Sequence, residues 1–586
     1  MSPVLKLKSA INVTSTEPIP IPLKQVNGQP LSAEQTKYLE GFFAGLAAHG
    51  LTFGDVEPAP LVEQKFSLDD LIFEERVKRE LHPLDAYDQI LENAQNNKAP
   101  DKEDTFRFKW NGLFFLTPNK EAFMSRLRIP GGLLKSFQLR ELAAIARSLT
   151  TGYVQITTRA NLQLRLIQPK DCPEFLSRVQ TVGLHTRGSG ADNIRNLTAN
   201  PTAGIDPVEL IDVTPFYQEL AQIILNDRAF YDMPRKFNIA YDGGGLIGTV
   251  EDTNDIGAKA VKVGNEVFFR IALGGATGHK TFARDAGILV KPSELNKVIA
   301  AMVRVYIANG NRGDRKKARL KHLLETWTLE KYVEETEKLL GYQLEKKPFD
   351  IRTHVYPSQQ LAHSHIGVHP QKQQRLNYIG VAMPVGQITP KQMLRIAEIA
   401  ELYGTGEIRL TVWQNFILPN IPDAYVETVR KALRKLNFDT EQSLLRGGLI
   451  ACTGNSFCKY AQANTKGNAL DLADYLDKRV KLDLPINIHL TGCPNSCAQH
   501  YMGDIGLLGV KVSGQDGYHV FVGGGFGANQ AVGRQIFSAL TVEDVKLTLE
   551  RMLKGYLRRR QPGESFQKFT ARHDLNTLQA IFSNDE

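Results

Sequence analysis

The sequence predicts an internally duplicated, multidomain α/β (α+β) protein whose two halves are related by a pseudo-twofold axis. Three observations support this fold class: the length of 586 residues, a composition that is 42% hydrophobic and 23% charged, and two collinear internal repeats. The length exceeds what one core supports, so we expect two or more domains of roughly 100 to 200 residues each. The composition is typical of a folded globular chain and excludes a disordered or fibrous one.

The first repeat pairs residues 129–164 with residues 383–418 at a constant offset of 254, so that Gly132 meets Gly386. In each copy, apolar residues at helical spacing follow the glycine, and a segment of alternating polarity follows the helix. We therefore predict the order turn, helix, turn, strand in both copies.

The second repeat lies further along the chain. Residues 255–263 match residues 504–512, and residues 273–278 match residues 522–527, at a common offset of 249. A repeated unit tends to bury surface against its copy. We expect the functional site to lie between the two halves.

The two copies differ in charge at informative positions. Arg126 corresponds to Gly380 and Arg159 to Trp413, so the first half carries the cations, while the cysteine pairs occur in the second half. This favours a division of labour in which one half neutralises an anionic ligand and the other holds a metal centre. The alternative is drift among solvated surface charges.

Four of the five cysteines form two pairs, Cys452 with Cys458 and Cys493 with Cys497. Four thiolates suit a [4Fe–4S] cluster, because soft sulfur ligands match iron, whereas C-x5-C lies outside the usual zinc spacing. Cys493 and Cys497 are four residues apart, so one helical turn would place both sulfurs on one face. Cys172 has no partner nearby. So few cysteines make a disulfide framework improbable and suggest a reducing compartment.

With these cysteines the chain resembles the siroheme and [4Fe–4S] dependent nitrite and sulfite reductases. The resemblance runs from about residue 105 to the C-terminal region, and residues 1 to about 70 add little. The segments that match, in the order of the family, are MSRLRIPGG (124–132), ITTRANLQ (156–163), DNIRN (192–196), MPRKFN (233–238), GVHPQKQ (367–373), CTGNSFC (452–458) and TGCPNSC (491–497).

The resemblance implies the siroheme reductase fold and its division into domains. We expect an N-terminal extension at 1–105, a first ferredoxin-like half-domain at 106–187, a cation-rich first reductase domain at 188–364, a second ferredoxin-like half-domain at 365–440, and a second reductase domain with the cluster cysteines at 441–586.

The resemblance also implies the cofactors and the residues that hold them. Siroheme carries many carboxylates, which can be buried only when cations pair with them. The positions that match cluster ligands are Cys452, Cys458, Cys493 and Cys497, of which Cys497 would be shared with the siroheme iron. The positions that match siroheme contacts are Arg159, Gln163, Arg235, Asn495 and Cys497.

Substrate residues are implied in the same way. Arg126, Arg195 and Lys236 match positions where fixed cations polarise the N–O or S–O bonds of the substrate and help to deliver protons. From the sequence alone, Arg128 and Lys236 remain open as surface charges. Asn238 completes the predicted set of catalytic residues.

Asn238 favours nitrite over sulfite. Resembling sulfite reductases carry Lys-x-Lys where this chain has Lys236-Phe237-Asn238, and one cation fewer suits a monoanion better than a dianion. The resemblance then implies six-electron reduction of nitrite to ammonium. Two features depart from this pattern: the PGG of 130–132 resembles the sulfite enzymes, and Leu162 stands where plant-type nitrite reductases usually have Trp.

Electrons are expected from a separate carrier, because the chain has neither a G-x-G-x-x-G after a strand nor a P-loop. The resemblance implies reduced ferredoxin, an acidic donor whose docking suits the net charge of +8. The basic runs considered for docking are Arg315, Lys316, Lys317 and Arg319, and Arg558 to Arg560. The first run also resembles a family segment near the cofactor, so it is left unassigned.

The sequence shows no apolar stretch of about 20 residues, no secretory h-region, and no basic tract interleaved with stacking aromatics. We expect a cytoplasmic monomer with no membrane or nucleic-acid partner. Three alternatives stay open: the matching sulfite reductase, a non-catalytic iron–sulfur sensor or carrier, and a tetrapyrrole-pathway oxygenase related to the family.

Overall fold

The computed structural model describes residues 68–115, 121–347, 364–441 and 444–583, together with positions 33 and 36 and four short strands before residue 68. The chain divides into two compact units, Met1–Asp70 and Leu71–Glu586. In the first unit, β1 (Lys6–Ser9) pairs antiparallel with the fourth strand of the chain, at residues 51–54. The second and third strands pair with each other as a hairpin at residues 25–30. The other strands of this unit are β2 (Gln25–Val26), β3 (Gln29–Pro30) and β4 (Leu51–Gly54).

The second unit contains all the other described helices and longer strands. Its helices are α1 (Phe73–Glu80), α2 (Tyr87–Gln95), α3 (Lys102–Arg107), α4 (Ser136–Ser148), α5 (Cys172–Thr181), α6 (Thr214–Asn226), α7 (Leu295–Asn309), α8 (Leu320–Thr326), α9 (Leu329–Leu340), α10 (Pro390–Tyr403), α11 (Val426–Arg434), α12 (Thr465–Asp477), α13 (Val542–Arg559), α14 (Phe566–Ala571) and α15 (Leu575–Ser583).

Its strands form four sheets. They are β5 (Leu113–Phe114), β6 (Phe123–Arg126), β7 (Leu133–Lys135), β8 (Val154–Ile156), β9 (Leu162–Ile167), β10 (Thr198–Ala199), β11 (Ile239–Asp242), β12 (Ile256–Val263), β13 (Glu266–Leu273), β14 (Arg284–Val290), β15 (Glu345–Lys346), β16 (Gly367–Pro370), β17 (Leu376–Val381), β18 (Gln387–Ile388), β19 (Glu407–Leu410), β20 (Phe416–Pro422), β21 (Leu449–Ala451), β22 (Ile488–Thr491), β23 (Ile505–Val512), β24 (Gln515–Val522) and β25 (Arg534–Thr541).

The first repeat forms the predicted helix in each copy, but the single strand predicted after it is a hairpin of two strands, β8 with β9 and β19 with β20. The repeat also contains an exchange of strands that the sequence did not indicate. The two sheets run β18-β8-β9-β6-β5 and β16-β17-β20-β19-β7, so each copy places its short first strand at the edge of the other copy's sheet. Leu134 lies opposite Ile408, and Ile388 lies opposite Val154. These two pairs are equivalent under the offset of 254, which is the arrangement that a pseudo-twofold axis requires.

Local chemistry begins the helix of each copy in the same way. The backbone N–H of Lys135 donates to Gln138 Oε1 over 2.9 Å, and that of Thr389 donates to Gln392 Oε1 over 3.0 Å. These are halves of a capping box, which satisfies backbone donors that a helix start leaves unpaired. Both glutamines therefore start equivalent helices, α4 and α10.

A shared core holds the two copies together. The buried faces of α4 and α10, including Leu142 and Ile396, belong to one hydrophobic cluster with Leu134 and Ile408. Burying each such side chain contributes roughly 1.5–3 kcal/mol. The duplication is thus stabilised across the interface between the copies and not within each copy alone.

The second repeat supplies the remaining two sheets, with orders β10-β11-β12-β13-β14-β15 and β21-β22-β23-β24-β25. In both, the first three strands are parallel and the next pairings are antiparallel. Strands β12 and β23, and strands β13 and β24, begin and end at the offset of 249. The predicted α/β, duplicated fold class is confirmed. Over the part of the chain described, no helix combines the length and apolar character that crossing a membrane requires.

Candidate functional site

A cavity of about 700 Å³ is lined by residues of both halves. On the first half, Arg126 ends β6 and lies opposite Gln163 of β9, which in turn lies opposite Gln155 of β8. This row of neighbouring strands forms one polar wall. On the second half, the parallel strands β21 and β22 end side by side, so Cys452 and Cys493, which follow them, meet at the same edge.

The structure brings every predicted site residue to this cavity. Its wall includes all twelve residues, which are Arg126, Arg159, Gln163, Arg195, Arg235, Lys236, Asn238, Cys452, Cys458, Cys493, Asn495 and Cys497. They come from segments as far apart as 126 and 497 in sequence. The fold thus brings them to one cavity, while the individual role of each residue remains a prediction.

The cavity wall is strongly cationic. It contains seven arginines and four lysines, and neither aspartate nor glutamate is among its described residues. These cations are Arg126, Arg159, Arg165, Arg195, Arg235, Arg315, Arg319, Lys236, Lys316, Lys459 and Lys466. Burying many like charges without counter-ions is unfavourable, so the wall fits a ligand that carries several negative charges.

Backbone carbonyls hold the guanidinium groups in place. Arg126 and Arg195 both donate to the carbonyl of Ser189, over 3.2 and 2.6 Å. Arg159 donates to Asn254 Oδ1 over 2.6 Å and to the carbonyl of Asn196 over 3.1 Å. These neutral acceptors orient the cations while leaving their charge available to a ligand.

Burial and mutual repulsion shift the proton affinities of these groups. Burial, with further effects from neighbouring charges, lowers the pKa of Arg159 to about 9. Burial, followed by repulsion from Arg319 and Arg195, lowers the pKa of Lys236 to about 7. The pKa of Arg195 falls well below its usual value through burial and the charge of Arg126. An anionic ligand would offset each of these effects.

The four cluster cysteines lie on two loops. The first loop follows β21 and carries Cys452 and Cys458; the second follows β22 and carries Cys493 and Cys497. The expected helical turn at 493–497 is wrong: the segment is a sequence of turns, and Ser496 has a φ of 53°. A left-handed residue interrupts the helical path, although both sulfurs still reach the cavity.

The four thiols affect one another electrostatically. Cys497 is exposed to the cavity, and desolvation by the surrounding wall, followed by the charge of Cys452, raises its pKa, while Lys236 lowers it. The backbone N–H of Gly492 donates to Cys452 Sγ over 3.2 Å. Within the described residues, no group of three or more His, Cys, Asp or Glu side chains is arranged around a single metal ion. Four thiols at one cavity are the ligand set that a [4Fe–4S] cluster takes.

The remaining wall fits siroheme. Asn238 Oδ1 and Gln155 Nε2 are buried and lack a hydrogen-bond partner within the described residues. Both line the cavity beside the cations. An acidic tetrapyrrole brings carboxylates to the cations and polar edges to such amides, so the donor set matches its chemistry.

Several cavity residues were missed by the sequence analysis. Arg165 lies two residues beyond Gln163 on the same strand, and strand alternation places the two side chains on one face. In the run at 315–319, considered for docking, Arg315, Lys316 and Arg319 line the cavity, whereas Lys317 does not. Strand periodicity identifies Arg165, and the resemblance of the run at 315–319 to a family segment near the cofactor is the signal that would have identified the others.

Two of the basic groups left open in sequence have structural partners. Arg128 is 3% exposed and donates to the carbonyls of Arg187 and Gly188, over 2.7 and 3.1 Å, so it is not a surface charge. It does not line the cavity. Arg560, at the end of the second basic run, forms an ion pair with Asp483 next to the C-terminus of α13.

Two buried carboxylates position the cations from behind the wall. Asp192 is fully buried and binds Arg315 through both oxygens over 2.8 Å, while Arg235 lies 3.5 Å away. Asp255 accepts from Arg319 over 2.7 Å and from the backbone N–H of Asn238 over 2.8 Å. The shape of the cationic wall thus depends on residues that do not line it.

Comparison with known families matches both repeats. The description "Nitrite/Sulfite reductase ferredoxin-like half domain" matches residues 117–182 and 369–436. The description "Nitrite and sulphite reductase 4Fe-4S domain" matches residues 190–344 and 447–584. The two descriptions alternate along the chain, as the two repeats do.

Individual proteins are similar over most of the chain. A ferredoxin–nitrite reductase of Synechococcus elongatus is 36% identical over 503 residues, which are 82% of this chain and 95% of that protein. An assimilatory ferredoxin-dependent nitrite reductase of Haloferax mediterranei is 30% identical and covers 83% of this chain and 88% of its own. The structure of the Mycobacterium tuberculosis NirA protein superimposes with a TM-score of 0.81 at 27% identity, covering 88% and 98% of the two chains.

Proposed function

The chain belongs to the family of nitrite and sulphite reductases, and we propose that it reduces nitrite to ammonium with six electrons, using siroheme coupled to a [4Fe–4S] cluster. The observation that carries this proposal is the single cavity where four cysteines of one half face the cations of the other. An iron–sulfur carrier needs the thiolates alone. Eleven cations line the cavity, and carboxylates behind the wall pair with Arg235, Arg315 and Arg319; the positive charge that remains serves an acidic cofactor and an anionic substrate.

Each half then has its own task. Siroheme and the cluster supply the electrons and the iron on which the substrate is reduced. The four cysteines would hold the cluster, with Cys497 shared with the siroheme iron. The residues proposed to pair with or orient siroheme are Arg159, Gln163, Arg235 and Asn495.

The substrate would lie against Arg126, Arg195 and Lys236. The two guanidinium groups share the carbonyl of Ser189 and so present fixed positive charge to an anion. Fixed charges stabilise developing negative charge without reorganisation, which is the larger part of many enzymatic rate enhancements. Burial and the charges of Arg319 and Arg195 lower the pKa of Lys236, which favours proton transfer from its Nζ, and reduction of nitrite requires protons.

Asn238 supports nitrite as the preferred substrate. It lines the cavity beside Lys236 and contributes an uncharged amide where a second lysine would favour a dianion. The two departures noted in sequence lie away from the cavity wall. A Cβ on Gly131 would come within 2.3 Å of the Tyr217 ring, and Leu162 is 1% exposed in the core. Packing therefore accounts for both.

Reduced ferredoxin is the proposed electron donor, as the names of the similar proteins indicate for those proteins. An acidic donor suits the net charge of +8 of this chain. We also propose that the protein works as a monomer in the cytoplasm. Sedimentation of the holoprotein and fractionation of cells test these two points.

The test of function is the anaerobic oxidation of reduced methyl viologen by purified holoprotein, with nitrite and sulfite in parallel. We expect a much higher kcat/KM for nitrite, because specificity is the ratio of these constants. A preference for sulfite would retain the family and cofactors but overturn the assignment of Asn238. Activity with neither anion, or a preparation without a siroheme absorption band, would favour the carrier or the oxygenase.

A further inference from the structure

Two cations of the cavity wall lie on the cluster side and pair with no carboxylate in the described chain. Arg165 is 3% exposed and Lys466 is 6% exposed. Three other cations of the wall have an acidic partner behind it: Arg235 and Arg315 have Asp192, and Arg319 has Asp255. An unpaired buried charge costs several kcal/mol, so the structure must supply an anion that these two residues face.

Both residues are attached to the loop that begins with Cys452. Arg165 Nη2 donates to Thr453 Oγ1 over 2.6 Å, and Lys466 Nζ donates to the carbonyl of Ala451 over 3.2 Å. The two contacted residues are the chain neighbours of Cys452, one on each side. Thr465, next to Lys466, donates to the carbonyl of Cys452 over 2.7 Å.

Neutral groups complete the surroundings of the two cations. Arg165 also donates to Gln155 Oε1 over 3.1 Å and to Gln163 Oε1 over 2.6 Å, and it lies 5.4 Å from the centre of the Phe457 ring. Lys466 Nζ donates in addition to the carbonyl of Val385. Among the described residues, Cys452 is the group of negative character that acts on both cations, and Tyr153 and Cys458 act on Arg165 in addition.

The duplicated half provides an internal comparison. Arg165 corresponds to Pro419 at the offset of 254, and Lys466 corresponds to Tyr217 at the offset of 249. At the same offset of 249, Cys452 corresponds to Ala203 and Cys493 to Gly244, so these cysteine positions are also lost. The two cations and the thiols are therefore present together in one half-site and absent together from the other.

We propose that Arg165 and Lys466 set the reduction potential of the [4Fe–4S] cluster by holding two buried positive charges beside Cys452. This inference rests on the proposed function, because it requires the cluster. A cluster held by four thiolates becomes more negative by one charge when it accepts an electron. Buried cations stabilise that reduced form more than the oxidised form, so they raise the potential and favour electron uptake from the donor.

The test compares neutral and charge-retaining variants of the holoprotein by redox titration of the cluster, followed by electron paramagnetic resonance. For Arg165→Met and for Lys466→Met we expect the ratio of reduced to oxidised cluster at a fixed potential to fall about tenfold, which is about 59 mV for one electron. Arg165→Lys and Lys466→Arg should stay near the wild-type potential. The matched control is Lys478→Met, an exposed lysine that follows α12 at the end opposite Lys466.

Each outcome of the redox titration either supports or overturns the role of Arg165 and Lys466. Wild-type potentials in both methionine variants, at normal iron content, would overturn the inference. Loss of the cluster from the methionine variants alone would show that the cluster needs the positive charges of Arg165 and Lys466. Loss from the charge-retaining variants as well would show that the two side chains act through packing and would overturn the inference. A wild-type protein with a normal cluster signal but no nitrite reduction would defeat the proposed function and leave this inference standing.

Discussion

The carboxylate of Asp255 accepts a hydrogen bond of 2.8 Å from the backbone N–H of Asn238. The other half repeats this contact, since Asp504 accepts from the backbone N–H of Asn487 over 2.8 Å. Both pairs stand at the offset of 249. The backbone of Asn238 is thus fixed by a contact that belongs to the fold, and its side chain is free to determine what the cavity recognises.

Asn238→Lys is expected to move the preference of the enzyme towards sulfite. The added ammonium would lie beside Lys236 and would match a dianion better than a monoanion. We expect the ratio of kcat/KM for nitrite to that for sulfite to fall at least about tenfold, which corresponds to roughly 1.4 kcal/mol of discrimination. Methyl viologen assays with the two anions measure it.

The matched control is Asn487→Lys, which changes the equivalent position of the other half. Asn487 does not line the cavity, so the same substitution there should leave the nitrite-to-sulfite ratio as it is. An equal change of the ratio in both variants would show that the effect is a general one of charge or folding. An unaltered ratio in Asn238→Lys would remove the residue from the specificity argument.

Asp192→Asn is expected to destabilise the protein strongly. The buried carboxylate binds both guanidinium nitrogens of Arg315 and lies 4.0 Å from Lys78 of α1, so its loss leaves buried cations unpaired. Removing one partner of a buried pair typically costs about 3–5 kcal/mol. Chemical denaturation of the holoprotein measures the change in unfolding free energy, and siroheme content reports whether the cationic wall keeps its shape.

A surface pair provides the comparison. Asp85 pairs with Arg228, and about half of each side chain is exposed. Asp85→Asn should cost about 1 kcal/mol or less because solvent screens such pairs. If Asp192→Asn proved as mild as Asp85→Asn, the buried carboxylate would not be what positions Arg315.

Cys497→Ser is expected to lose the coupled siroheme. Its thiol is the proposed shared ligand, and a hydroxyl is a poor ligand for iron in such a cluster. Visible absorption and iron per chain measure the loss. The control is Cys172→Ala, since Cys172 is buried in the core away from the cavity; it should keep full iron and siroheme. Normal siroheme absorption in Cys497→Ser would contradict the bridging assignment.

The sequence predicts the features that depend on local pattern and misses those that depend on distant contacts. The repeats and the four cysteines follow from spacing, and strand alternation from Gln163 would have identified Arg165. The exchange of β7 and β18 depends on pairing between strands more than 230 residues apart. The pairing of Asp192 with Arg315 likewise joins residues 123 positions apart, and nothing in either local segment specifies it.

Asp504→Asn is expected to change how stability depends on pH. Burial raises the pKa of Asp504 to about 7, and no cation pairs with it among the described residues, whereas its counterpart Asp255 pairs with Arg319. In the unfolded chain this carboxyl loses its proton near pH 4, and in the folded protein near pH 7. The unfolded state therefore binds fewer protons between these values, so Asp504 lowers stability as the pH rises through this window.

The asparagine variant removes this titration, because its amide is neutral at every pH in the window and resembles the protonated carboxyl in shape. Between about pH 4 and pH 7, the unfolding free energy of the wild type should fall relative to that of Asp504→Asn by up to roughly 1.4 kcal/mol per pH unit. Denaturant unfolding at several pH values measures both slopes, with Asp471→Asn on the exposed side of α12 as the control. If the unfolding free energies of the wild type and Asp504→Asn changed equally with pH, the folded protein would stabilise the ionised carboxylate of Asp504. The lack of a cation partner, which distinguishes Asp504 from Asp255, would then not affect stability.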